Sequence, residues 1–233
     1  MTNPFDSDTL LREGLEVLMR GDSGSARLLE DRLGEVTALL TGYIEEIERF
    51  NPAYGLVGAK DRRGLVVRHI LDSLAPLGLL LRLLKQRGPQ AAPPHIADVG
   101  SGAGLPGIPL AIALPKARFT LIERMGRRVG FLRNVQAVLA LKNVTVEEGL
   151  MEEAPSGQFD LAVFRAFRPL EKPILKGLFR LLKEGGSLAA YKGRREVIAA
   201  EMKAAGDLAW EALSYPAPFL DEERHLVVLH RGV

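Results

Sequence analysis

The 233-residue chain has no cysteine, which excludes disulfides, thiolate metal ligands and any reaction that attacks its substrate through a thiolate. A dominant charge is missing too: 31 Lys and Arg stand against 29 Asp and Glu, a net +2 with His neutral, so the chain as a whole is no polycation. Its cations are clustered instead, in Lys60-Asp61-Arg62-Arg63, in Arg124 through Arg133 and in Lys192-Gly193-Arg194-Arg195. Such clusters, taken singly, are more often solvated surface than nucleic-acid sites. Long apolar runs are absent. The longest, 74–84, is interrupted by Pro76 and Arg82 and falls short of the ~20 residues that a membrane span requires. The opening "MTNPFDSD" has neither a basic stretch nor an apolar one, which predicts no signal or transit peptide and a cytoplasmic protein without a membrane partner. There is no internal repeat and no low-complexity tract.

What is present is a foldable α/β pattern. Hydrophobic residues make up 47%, enough for a packed core. Over 7–50, Leu29, Leu33, Val36, Leu40, Ile44 and Ile47 recur at three- or four-residue steps, which predicts amphipathic helix. A second helical stretch, 65–84, is expected to kink or break at Pro76, and Gly88 to Pro94 reads as a linker. Then the period changes. Segments 96–99, 118–123, 144–148, 159–165, 187–192 and 225–230 are short and β-rich or apolar, mostly separated by helical patterns. The expectation is a helical region over 1–88 and, over 95–233, a mostly parallel sheet covered on both faces. The last strand follows "YPAPFLDEER" with no room for a crossover helix, so it should return antiparallel.

"IADVGSGAGLPGIPLAIAL", 96–114, reads as strand, glycine-rich turn and helix. Gly100, Gly102 and Gly104 allow positive φ and close backbone approach, and the free amides of the next helix favour an anionic group. This points to a nucleotide-type ligand, although the same spacing also satisfies the dinucleotide fingerprint. Glu123, 19 residues beyond Gly104 at the end of the second strand, is where a carboxylate can accept both ribose hydroxyls. Asp98 puts a carboxylate inside a buried strand, where it must find a polar partner. An ammonium group, as on the methionine half of S-adenosyl-L-methionine, would serve, and so would local loop amides.

The segments "IADVGSGAGLPGIPL" and "FTLIERMGRRVGFLRNV", with "LVVRHILDSL" before the loop and "FRAF", "AYKG" and "ERHLVVL" after it, resemble the small-subunit ribosomal RNA methyltransferase G family, also called glucose-inhibited division protein B. The resemblance spans roughly residues 30 to 230. It implies a class I S-adenosylmethionine-dependent methyltransferase: Rossmann-like, with a mostly parallel seven-stranded sheet, an antiparallel last strand and an N-terminal helical extension. The implied reaction is methylation of N7 of one guanosine in small-subunit (16S) ribosomal RNA, with the RNA in the 30S subunit. By position, Gly100 and Leu105 match cofactor-loop residues, Met151 and Glu152 match the segment bordering the adenine, and Arg165 matches an arginine at the cofactor's edge facing the substrate. Glu123 replaces the usual aspartate. Leu150 stands where the family usually has arginine, Gly55 where it often has asparagine, and Phe50 where it often has tryptophan.

Guanine N7 is an exposed lone-pair acceptor that needs no general base, and the sequence offers no histidine–acid pair near the loop and no metal-ligand spacing. Arg165 and Arg168 follow the fourth strand, at the sheet edge where ligands of open α/β folds bind; an ion pair with Glu171 or Glu152 is the plain alternative. Lys192 and Arg224 are candidates for one basic rim toward RNA phosphate. Arg68 and His69 are further RNA candidates, with an intrahelical Arg68–Asp72 bridge expected from their spacing. A nicotinamide-dependent oxidoreductase using the same loop, and a catalytically inactive RNA-binding relative, are the competing readings. A monomer is expected because no apolar stripe is left over.

Asn51-Pro52-Ala53-Tyr54 is one letter from the Asn-Pro-Pro-Tyr signature of enzymes that methylate exocyclic amino groups. That signature must follow a strand of the catalytic sheet, whereas here it follows the helical "TGYIEEIERF". Asn51-Pro52 is therefore expected to stop a helix, because the residue before proline is pushed out of the α region, with Phe50 and Tyr54 packing the helical front end onto the catalytic domain.

Overall fold

A computed structural model describes residues 4–88, 92–206 and 208–230. Strand and helix alternate as the sequence pattern requires. Strands β1 (His95–Val99), β2 (Arg118–Glu123), β3 (Val144–Glu148), β4 (Phe159–Arg165) and β5 (Leu182–Lys192) run parallel. The seven-stranded order is β3-β2-β1-β4-β5-β7-β6, and β7 (His225–His230) is antiparallel to both β5 and the edge strand β6 (Trp210–Ser214). Strand order reverses between β1 and β4, which makes the carboxyl edge there the switch point at which open α/β sheets bind ligands.

The pleat divides the core in two. Leu161 and Val163 of β4 face one apolar cluster, while Ala162 and Phe164 face the other, the two-residue period of a sheet covered on both sides. Helices α9 (Lys172–Leu181) and α10 (Arg195–Ala205) cover the second face. The first face carries α7 (Gly107–Ala113), α8 (Gly126–Val138) and the front-end helices α1 (Pro4–Gly21), α2 (Ser23–Leu29) and α3 (Leu33–Tyr54), whose Leu40, Ile44 and Ile47 join the same cluster as Leu121 and Phe131.

The second helical stretch is broken at Pro76 as expected: α4 (Arg62–Leu65), a π-helical turn (Val66–Leu71) and α5 (Asp72–Leu74) precede it, and α6 (Leu77–Gln86) follows. Taken together, Arg62–Gln86 is long and apolar enough to cross a membrane by length and composition, contrary to the shorter run read from the sequence. Its most apolar window is 67% buried inside the fold, so the core of this protein uses that surface.

The expected helix stop at Asn51-Pro52 is not observed. Helix α3 runs through Pro52 to Tyr54 and ends at Gly55, which takes the left-handed conformation (φ 58°) and donates its amide to the Asn51 carbonyl. One proline in the last turn costs a single bond there, and a glycine C′ residue is the stronger stop. Asn51 then holds the outgoing chain, its side chain bonding both the amide and the carbonyl of Val57 at 2.9 and 3.1 Å. Phe50 packs edge-on against Phe131 of α8, with centroids 5.7 Å apart, and Tyr54 lies against Phe50 with its ring tilted by 51°.

Candidate active site

Beyond β1 the chain turns through Gly100, Gly102 and Gly104, with φ of 68°, 61° and 92°, a region that glycine enters without steric cost. Two of these positions also leave no room for a side chain. A Cβ on Gly100 would lie 2.6 Å from the Phe167 ring, and one on Gly104 would lie 2.5 Å from Ile108 and 3.2 Å from the Tyr43 oxygen. Tyr43 projects from α3, is fully buried, and donates its hydroxyl to the Ala103 carbonyl at 2.6 Å. The front-end helices thus grip the underside of the glycine loop.

Two carboxylates frame this loop. Asp98 is fully buried; its Oδ2 accepts from the Ser101 hydroxyl at 2.6 Å and the Gly107 amide at 3.0 Å, while Oδ1 is buried with no hydrogen-bond partner among the described residues. Burial pushes its pKa up to about 6, against the opposing pull of those two donors and of the Arg165 charge. Glu123, 4% exposed, accepts the Gly102 amide on one oxygen and the Met125 amide on the other, both at 2.9 Å. A carboxylate has about four lone-pair sites, so these two bonds orient it and leave capacity toward a ligand.

A cavity of about 370 Å³ opens beside them, its lining including Gly100, Glu123, Met125, Met151, Phe167 and Arg168, within the size range of small-molecule sites. Of the cofactor residues expected from the sequence, Gly100, Glu123 and Met151 line this cavity, together with Arg168, an RNA candidate. Asp98, Gly102, Gly104 and Leu105 are not among its lining residues; they belong to the adjoining strand end and loop, with Leu105 buried in the core. Glu152 is exposed and pairs with Arg168 at 3.4 Å, the plain alternative weighed for that arginine. Leu150 sits on the rim, 37% exposed.

Arg165 lies in a second cluster, where the end of β4 meets the π-helical turn. Its guanidinium reaches Asp72 at 3.4 Å, His69 Nδ1 at 3.1 Å and the Arg68 carbonyl at 3.4 Å. Asp72 also accepts from Arg224 at 3.0 Å, and burial still holds its pKa above the usual carboxylate value. Burial, then the charges of Arg165 and Arg68, lower His69 to about 4. His69 is therefore neutral at neutral pH and its Nδ1 accepts from Arg165. The expected Arg68–Asp72 bridge does not form: Arg68 is exposed and pairs with Glu222 at 2.7 Å, while Asp72 is buried. The α-helical register on which that spacing relied is replaced by a π turn over 66–71, and Asp72 faces the two arginines of the sheet edge instead. Lys192 is held by Glu201 at 2.7 Å.

A family model described as rRNA small subunit methyltransferase G matches residues 36–227. The chain belongs to this methyltransferase G family. It is 35% identical to the "Ribosomal RNA small subunit methyltransferase G" of Treponema denticola over 97% of this chain and all of that protein. To the protein of the same name from Cellvibrio japonicus it is 39% identical, over 83% of this chain and 85% of the relative. Among solved structures, a SAM-dependent methyltransferase from Aquifex aeolicus matches with TM-score 0.51 at 17% identity, covering 68% of this chain and 91% of that one. A putative S-adenosyl-L-methionine-dependent methyltransferase from Methanococcus maripaludis matches with TM-score 0.52 at 12% identity, covering 82% and 92%. The fold of this methyltransferase G chain is thus the class I, Rossmann-like one, and S-adenosylmethionine is its cofactor. Sequence reasoning missed Tyr43, Asp72 and Phe167 as parts of the site. The available signal for Tyr43 was a tyrosine on an otherwise aliphatic buried stripe, which needs a partner for its hydroxyl.

Proposed function

We propose that the chain transfers a methyl group from S-adenosylmethionine to N7 of a guanosine in small-subunit ribosomal RNA, acting as a cytoplasmic monomer on the 30S subunit. The observation that carries the cofactor half is the orphaned, buried Asp98 Oδ1 beside the glycine loop: a buried acceptor needs a donor, and the ammonium of the methionine moiety is one. Gly100, Gly102, Gly104 and Leu105 form the cradle, Glu123 takes the ribose, and Met151 with Glu152 borders the adenine. When bound, the cofactor supplies an electrophilic methyl on a sulfonium. Guanine N7 carries its own lone pair, so transfer of that methyl to it would require no residue of the site to remove a proton.

What the protein must supply is alignment. Arg165 is suited to that role, because guanidinium hydrogens bond guanine O6 and never act as a base. His69 accepts from Arg165, so its part in this reading is to aim the arginine. Arg68, Arg168, Lys192 and Arg224 remain candidates at the RNA-facing edge. The test incubates purified protein with radiolabelled cofactor and small subunits that lack the modification. Label recovered as 7-methylguanosine supports the proposal; cofactor binding with no label in RNA refutes it in favour of an inactive relative. Calorimetry with NADH addresses the oxidoreductase reading: heat of binding for NADH and none for S-adenosylmethionine would favour it.

A further inference from the structure

The Met151 wall of the cofactor cavity is held from behind by helix α9. Met151 stands in the turn between β3 and β4, residues 149–158, and is 4% exposed. Its terminal methyl lies in a recess where the helix has glycine: a Cβ on Gly177 would come within 2.9 Å of that methyl. One turn further on, Nη2 of Arg180 donates to the Met151 carbonyl at 2.9 Å and to the Glu152 carbonyl at 3.0 Å. Positions i and i+3 share a helix face, so α9 presents a gap and a donor side by side to this one segment.

The far end of the turn is tied to the same place. The Arg180 carbonyl accepts the Gly157 amide at 2.9 Å, and the Leu181 carbonyl accepts the Gln158 amide at 2.9 Å. The last carbonyls of a helix have no partner within it, and here the turn supplies donors to two of them. Arg180 therefore holds both ends of the turn, by its side chain at 151 and 152 and by its backbone at 157. Packed core does not back the turn between these ties, because a second cavity of about 790 Å³ has Ser156, Gly157, Gly177 and Arg180 in its lining. Neither Gly177 nor Arg180 lines the cofactor cavity, so both act on its contents only through Met151 and its neighbours.

We propose that Gly177 and Arg180 are positioning residues that set how far the Met151 wall stands into the cavity, and so set the affinity for the adenine half of S-adenosylmethionine. This rests on the reading above that borders the adenine with Met151 and Glu152. The recess takes up the methionine side chain, and the guanidinium fixes its main chain.

The two residues can be perturbed with opposite effects on the fold. Gly177→Ala adds a methyl where the Met151 methyl now sits, and the flexible thioether has to yield toward the cofactor. Alanine is also the better helix former, so stability to denaturant should be kept or raised while the calorimetric Kd for S-adenosylmethionine rises about tenfold. Arg180→Met keeps the apolar stem and removes the donor; it should weaken binding about tenfold as well, and Arg180→Lys, which restores one donor, should recover part of the loss. In Gly177→Ala and Arg180→Met the KM for S-adenosylmethionine should rise, with the KM for RNA and the turnover at saturation of both substrates unchanged. A structural role alone would lower the unfolding midpoint and leave the Kd of the folded protein as it was. Lys176→Gln, on the outer cavity only, should bind as wild type. Wild-type affinity in Gly177→Ala, or in a folded Arg180→Met, would overturn the proposal, and Gly177→Ala decides alone if Arg180→Met does not fold. An equal loss in Lys176→Gln, or a KM for RNA rising in step, would overturn it too. Failure of the underlying reading looks different: the wild-type protein itself would not bind S-adenosylmethionine, or would bind it and place no label in RNA.

Discussion

The buried carboxylate of Asp98 makes cofactor affinity depend on pH in a direction that can be worked out in advance. Without a ligand, burial holds its pKa up at about 6, so near pH 7 the group is mostly ionised and its unpaired Oδ1 is ready for an ammonium. Ammonium binding favours the ionised form and pulls the pKa down. Affinity is then full above pH 6 and falls as pH drops below it, because protons compete with the cofactor. One unit below the pKa the loss is about tenfold, or about 1.4 kcal/mol. Calorimetric titration with S-adenosylmethionine between pH 7 and pH 5 should show that loss. Asp98→Asn should bind more weakly throughout and show only the titration of the cofactor itself. Arg165→Ala removes a cation that stabilises the Asp98 charge, so it should move the wild-type profile to higher pH. Parallel profiles for wild type and Asp98→Asn would refute the reasoning.

Gly100→Val should abolish cofactor binding, because the added side chain enters the space next to the Phe167 ring; circular dichroism should show the fold retained, and unchanged affinity would remove Gly100 from the site. Tyr43→Phe leaves the Ala103 carbonyl without its donor and should cost about 1–3 kcal/mol in denaturant unfolding, with a weaker cofactor affinity as well. Arg165→Ala should lower turnover more than stability, and a variant that unfolds without a separable loss of activity would make the residue structural. His69 has a folded pKa of about 4 against 6.5 unfolded, so the unfolded state binds its proton first and stability falls as pH drops from 6.5 toward 4. His69→Gln should flatten that part of the stability profile.

Much of the fold was legible because it rests on periodicity. Strands β2, β3, β4 and β7 match their expected limits, and the glycine loop follows β1 as its residue types require. Strand β6 was missed because "WEALS" is an edge strand whose residues are all exposed or half-buried, so no buried face imposes alternation. Strand β5 starts five residues earlier than its apolar core predicts, reaching back through Gly185 and Gly186 to pair Leu182 with Phe159. In the site, single-residue chemistry was readable and pairing was not. Glu123 was expected to face a ligand and does line the cavity, but its two supporting amides come from the folded turn. Asp72 was assigned to Arg68 by α-helical arithmetic, and only the π turn and the sheet edge show that its partners lie 93 and 152 residues away.

The bond from Tyr43 to the Ala103 carbonyl has a consequence for attempts to divide the protein. A fragment beginning at β1 would retain every glycine of the loop and both framing acids, yet would lose the hydroxyl that supports the loop from below and the Ile44 and Ile47 surface that seals it. Such a fragment should expose the underside of its own ligand site to water. The helical front end is thus the foundation on which the loop is set, and a minimal catalytic unit would have to be cut upstream of α3.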